Sequence, residues 1–164
     1  MTSVVSLAAL IDRGGVYYNI GGAGPAEILR EATSAMALPK GVDREALLTA
    51  VLERESLMPT AIGNGVAIPH PRNPIISDRS QQRVAVLFLK SPANYNALDR
   101  KPVSALFYIL SADARSHLAI LASVSYLCQR KEFLKLMESR PSKEELVAFV
   151  SKAEAAWEAD NKGS

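Results

Sequence analysis

A single cysteine, Cys128, is all the thiol chemistry in the chain, so no internal disulfide can form. It sits in a stretch of helical apolar period and reads as a small buried hydrophobe, with only Arg130 and Lys131 as basic neighbours. Charge of one sign is also scarce. Nineteen Lys and Arg against 17 Asp and Glu leave a net charge of +2, and no basic cluster gathers anywhere along the chain. That balance gives no footing for nucleic-acid binding. No apolar run approaches the roughly 20 residues that cross a bilayer. The opening MTSVVSLAALIDRGG lacks both a basic leader and an unbroken apolar stretch. A cytoplasmic protein, peripheral to a membrane at most, is expected.

Several catalytic motifs are missing as well. Gly22-Ala23-Gly24 begins a dinucleotide fingerprint, but Glu27 stands where the third glycine belongs. There is no Walker A sequence, no G-x-S-x-G elbow and no metal-ligand spacing. The two histidines, His70 and His117, are far apart in the chain and have no carboxylate partners specified between them. Neither a metal nor a cofactor is expected.

What is present is an ordinary globular composition, 48% apolar and 22% charged, over 164 residues, enough for one domain spanning 1–164. After a short N-terminal lead, Val16 to Ile20 is β-prone and ends in glycines. Pro25 suits a first helical turn, and Ile28, Leu29, Ala32 and Met36 come after it at helical spacing. Asp43 reads as the N-cap of a second helix with Leu47, Leu48, Val51 and Leu52 on one face. Arg83 to Leu89 and Val103 to Leu110 are dense apolar runs, expected as strands buried on both faces. Helical period returns from Ser116, read as a cap, to Gln129; a short helix comes next over Lys131 to Glu138. A capping box at Ser142 and Glu145 opens a last helix to about Ala159, with fraying expected from Asp160 on. Strands alternating with helices predict an α/β sandwich: a central mixed sheet with helices on both sides.

Residues 59–74, PTAIGNGVAIPHPRNP, carry the chemistry. Gly63 and Gly65 permit positive φ, and the backbone N–H groups at Asn64 and Gly65 are candidate donors to an anion. Val66 to Ile68 reads as a short buried strand that delivers His70. Pro69 and Pro71 bracket that histidine and restrict its backbone. A neutral imidazole held this way can act as a nucleophile and form an N–P bond. It can equally be a solvated loop residue, and spacing alone leaves both open. Arg54, near the end of the second helix, offers a fork of donors to phosphate oxygens, or pairs with Glu53 or Glu55 at the surface. His117 lies at a helix start, where the dipole disfavours its charged form and favours anions.

The nonamer Ile62-Gly63-Asn64-Gly65-Val66-Ala67-Ile68-Pro69-His70 resembles the phosphorylation-site signature of fructose/mannitol-type enzyme IIA domains of the bacterial phosphotransferase system. Leu47 to Glu55 is similar to the helix that precedes it there, and Val103 to Leu110 and Ser116-His117-Leu118 match later segments. The resemblance covers about residues 4–156 and is nearest to the free-standing nitrogen-regulatory (Ntr-type) form. It implies a mixed sheet flanked by helices, and phosphorylation of His70 by an HPr-like phosphocarrier. It also implies His117 beside the phosphorylated ring and Arg54 on the phosphoryl group. The acceptor it implies is a separate IIB component or a regulatory target protein. In the family a glycine usually stands after the active histidine, whereas here Pro71 removes one N–H. Pro59, Ala61 and the Gly21–Pro25 segment also depart from the pattern.

Overall fold

Two apolar runs, buried from both sides, build the centre of the molecule. The computed structural model describes residues 6–162; residues 4 and 5 of the expected core lie outside the described residues. β1 (Val16–Ile20) pairs parallel with β4 (Arg83–Ala93), and β4 pairs antiparallel with β5 (Val103–Leu110). Beyond β5 the sheet continues with β3 (Val66–Ala67), parallel to β5, and β2 (Ala61–Gly63), antiparallel to β3. The order is β1-β4-β5-β3-β2, a mixed sheet.

Alternation along the strands feeds two cores. Val84, Val86 and Phe88 of β4, with Ala105, Phe107 and Ile109 of β5, face one side. There they meet α1 (Leu7–Gly14), α4 (Ala114–Cys128), α5 (Lys131–Glu138) and α6 (Lys143–Lys162). Ala85, Leu87 and Leu89, with Leu106, Tyr108 and Leu110, face the other side, under α2 (Pro25–Ala35) and α3 (Arg44–Leu57). Because side chains alternate across the sheet, a continuous apolar run is what double-sided burial requires. Cys128 is buried in the first core, and desolvation pushes its thiol up to about 12, which keeps it protonated and unreactive.

The local signals operate as expected at three helix starts. Asp43 accepts from the Ala46 N–H at 2.9 Å, Pro25 occupies the first turn of α2, and Ser142 and Glu145 close the capping box. Several boundaries differ: β4 runs past Leu89 to Ala93, and α2 ends at Ala35, ahead of Pro39. α4 begins at Ala114, not at Ser116, because the Asp113 carboxylate caps it by accepting from the Ser116 N–H at 2.8 Å. The last helix also runs beyond Ala159 to Lys162, through the stretch expected to fray, while residues 163–164 lie outside the described residues.

The N-terminal lead holds a helix that periodicity did not single out. In α1, Leu7, Ala8, Leu10, Ile11 and Gly14 are buried, and a Cβ on Gly14 would sit 2.1 Å from the Val84 carbonyl oxygen. Its first turn is closed by Glu154 of α6, whose carboxylate accepts from the Leu7 N–H at 2.8 Å and the Ala8 N–H at 3.0 Å. A carboxylate there satisfies orphan donors and complements the helix dipole. Glu154→Ala is expected to lower stability by about 1–2 kcal/mol, read as a fall in the calorimetric melting temperature. Glu154→Gln, which keeps one acceptor, should recover part of it. An unchanged melting temperature would mean that water caps α1 equally well.

Candidate active site

β3 and β5 run parallel as neighbours, so the segments that leave them emerge at the same end of the sheet. Ile68 and Pro69 extend the pairing past β3. The Ile68 N–H donates to the Thr60 carbonyl at 3.0 Å, and the Pro69 carbonyl accepts from the Ile109 N–H at 2.9 Å. His70 comes next, fixed between two prolines. After β5 the chain turns through Ser111 and Asp113 into α4, which brings His117 to the same place. The two imidazole centroids lie 4.6 Å apart at an interplanar angle of 51°.

The hydrogen bonds of His70 define which nitrogen can react. Nδ1 stands 2.7 Å from the Ile68 carbonyl, an acceptor only, so Nδ1 carries the hydrogen and Nε2 carries the lone pair. His70 is 8% exposed, yet Nε2 is neither hydrogen-bonded nor among the sealed side-chain atoms that lack a partner. It borders a cleft of about 240 Å³ lined by His70, Pro71, Arg72, Ser111, Asp113 and His117, among others. Both rings are kept neutral. Burial lowers the His70 pKa, opposed by its bond to Ile68 and reinforced by the Arg54 charge. His117 is lowered to about 4 by burial first, then by His70 and Arg54.

Arg54 projects from the last turn of α3 close enough to act electrostatically on both imidazoles, and Nη1 donates to the Met58 carbonyl at 2.8 Å. It forms no ion pair among the described residues. Its acidic neighbours are engaged elsewhere: Glu53 with Arg72 at 3.6 Å, and Glu55 with Thr60 through both N–H and hydroxyl. Thr60 in turn holds Ile68, so Glu55 braces the loop that carries His70.

Two of the five sequence-derived residues, His70 and His117, share the cleft, and a third, Arg54, acts electrostatically on both rings without lining it. Asn64 and Gly65 do not join them. Their turn does use positive φ (55° at Asn64, 97° at Gly63, 81° at Gly65), but it lies at the opposite end of β3. The Asn64 N–H is taken by Asp99 at 2.8 Å, and its side-chain amide donates to the Cys128 carbonyl at 3.0 Å. Both residues line a separate groove of about 360 Å³ that holds neither histidine. The residues that sequence reasoning passed over are Ser111, whose Oγ lies 3.4 Å from His117 Nδ1, together with Asp113 and Arg72. An aspartate shortly before a helical run was the available signal for Asp113; nothing local marks the other two. Among the described residues, no group of three or more His, Cys, Asp or Glu could hold a metal ion. No helix among them is long and apolar enough to cross a membrane.

Residues 10–153 match the family described as phosphoenolpyruvate-dependent sugar phosphotransferase system, EIIA 2. A nitrogen regulatory protein of Pseudomonas aeruginosa is 30% identical over 151 residues, covering 90% of this chain and 96% of that protein. The fructose-specific EIIABC component of Bacillus subtilis is 30% identical over 111 residues, 66% of this chain but 17% of that protein. In fold, the chain is similar to the crystal structure of nitrogen regulatory protein IIA-Ntr from Neisseria meningitidis. The TM-score is 0.68 at 23% identity, covering 87% of this chain and 97% of that one.

Proposed function

The chain belongs to the phosphoenolpyruvate-dependent sugar phosphotransferase system EIIA 2 family, and on that premise we propose that it is a cytoplasmic phosphocarrier of the nitrogen-regulatory kind, charged on Nε2 of His70. The observation that carries the reading is the pairing of a committed tautomer with an open nitrogen. The Ile68 carbonyl holds the hydrogen on Nδ1 and leaves the Nε2 lone pair facing a cleft shared with His117 and served by Arg54.

The donor in this scheme is a phosphohistidine on an HPr-like carrier. The Nε2 lone pair of His70 attacks phosphorus and forms the new P–N bond. The old P–N bond breaks in line, and its electron pair stays on the donor imidazole. No proton has to cross between the rings, because the hydrogen on His70 Nδ1 stays on that nitrogen, donated to the Ile68 carbonyl. Charge in such a transition state spreads over three equatorial oxygens, so donors and position do the catalysis. A neutral His117 that accepts from the Ser111 hydroxyl at Nδ1 carries its hydrogen on Nε2 and can donate it to one of those oxygens. Arg54 supplies the positive charge.

His117→Ala is expected to slow transfer about tenfold, the worth of one hydrogen bond to a charged group. It should also change the acid side of the stability profile. With a folded pKa of about 4 against 6.5 unfolded, the unfolded chain takes up a proton that the folded one refuses. Stability therefore falls as pH drops from about 6.5 to about 4, and urea midpoints should fall less steeply there in the variant. Unaltered transfer kinetics would remove His117 from the mechanism.

The regulatory role is favoured over sugar transport because the similarity to a nitrogen regulatory relative covers 90% of this chain, against 66% for the fructose-specific components. Adding about two negative charges at one cleft changes what a target protein meets there. The deciding experiment incubates the protein with labelled phosphoenolpyruvate, enzyme I and an HPr-type carrier, expecting acid-labile label on one histidine. No label from any such carrier would end the phosphocarrier reading. Efficient onward transfer to a IIB component would favour transport instead.

A further inference from the structure

The cleft beside His70 contains a second arginine. We propose that Arg72 is a phosphate-binding residue of this site, held by Glu53 in the uncharged protein and released to the phosphoryl group when His70 is charged. The proposal rests on the phosphocarrier reading above.

Four observations carry it. Arg72 lines the same cleft as His70 and His117. Pro71 alone separates it from His70, and that ring tethers the two with a fixed φ. Proline offers no N–H, so no main-chain donor serves the phosphoryl group from position 71, and the next donors along the chain are those of Arg72, its N–H and its guanidinium fork. Finally, its present partner is a weak one. Arg72 Nη1 and Glu53 Oε1 are 3.6 Å apart with both side chains 59% exposed, and Arg72 donates no hydrogen bond to any other described group. Exposed pairs of that length contribute little.

The outcome of the competition is set by charge. Glu53 offers Arg72 one negative charge in water, whereas a phosphoryl group on His70 offers nearly two, beside a half-buried site of lower dielectric. Arg54 keeps one arm on the Met58 carbonyl, so a phosphoryl group still has oxygens for a second guanidinium. When Arg72 leaves, the Glu53 carboxylate is uncovered on α3. Leu57, one turn along the same helix, is 59% exposed, and Met58 is 64% exposed. Charging His70 thus alters a surface that a partner can touch.

Arg72→Gln, Arg72→Lys and Glu53→Gln test this, each first checked for an unchanged melting temperature. Transfer from the phosphorylated carrier should slow about tenfold in Arg72→Gln, recover largely in Arg72→Lys, and be equal to or faster than wild type in Glu53→Gln. In the charged protein, ³¹P NMR should show a higher phosphoryl pKa for Arg72→Gln, since a nearby positive charge has gone. A carrier-free arm titrates inorganic phosphate against the imidazole resonances, where Arg72→Gln should bind several-fold more weakly. Wild-type behaviour of Arg72→Gln in transfer and in the phosphate titration would overturn the proposal. So would a Glu53→Gln variant as slow as Arg72→Gln, because the pair would then be a structural clasp. If the wild-type protein takes no label at all, the phosphocarrier reading fails, and the phosphate titration still decides for or against Arg72.

Discussion

His70→Asn leaves a folded protein whose labelling from a phosphorylated carrier falls by more than about 10³-fold, because the nucleophile itself is gone. Asparagine is the informative replacement. Its amide nitrogen stands close to where Nδ1 stood and can still donate to the Ile68 carbonyl, so the backbone around Pro69 keeps its anchor. Alanine at the same position would also empty space in a residue that is 8% exposed, adding a packing loss to the chemical one. Acid-labile label that persists in His70→Asn would move the nucleophile to the only other imidazole, His117. Matched melting temperatures for the two proteins would show that lost labelling reports chemistry and not collapse.

Arg54→Gln is expected to cost about 10² in transfer rate, the usual scale for losing one preorganised charge stabiliser at a transferring phosphoryl group. The same substitution makes an independent prediction. Arg54 is one of the charges that holds both imidazoles below their ordinary basicity, so its removal should raise both titration midpoints when the ring protons are tracked by NMR. Arg54→Lys keeps the charge but loses the fork. It should leave the midpoints low while recovering only part of the rate. Raised midpoints with an unaltered rate would make Arg54 a neighbour that sets basicity without touching phosphate.

The sheet centre was legible because double-sided burial leaves an unmistakable mark, the unbroken apolar runs of β4 and β5. α1 was not, because eight residues are too few for a clear period, although Ser6 caps it locally by accepting from the Ala9 N–H at 3.2 Å. Its other first-turn donors, the Leu7 and Ala8 N–H groups, are met by Glu154 on the last helix, a tertiary contact that a local window cannot sense. The start of α4 was misplaced for a simpler reason. Ser116 and Asp113 are both good caps, and the aspartate prevailed while Ser116 became fully buried, its Oγ without a partner.

At the site, the histidines and Arg54 could be named because few residue types perform phosphoryl chemistry and the flanking prolines drew attention to one of them. Asn64 and Gly65 were drawn in by adjacency in sequence. A two-residue strand and the extended Ile68-Pro69 after it are enough to carry them to the far end of β3 from His70. Their positive φ angles serve a tight turn tied to Asp99 and Cys128. Ser111 and Arg72 gave no warning, since a serine after a buried strand and an arginine in a polar loop are commonplace.

The two rings, 4.6 Å apart, rest on different supports. His70 leaves β3 directly through Ile68 and Pro69, whereas His117 sits on α4 beyond the turn that leaves β5. A single inserted or deleted residue between Ala67 and His70 would misalign the rings by a full strand rise, about 3.3 Å, while in the two cores it touches only Ile68, at the edge of one. Length changes in that short span should thus be far more damaging to transfer than to folding.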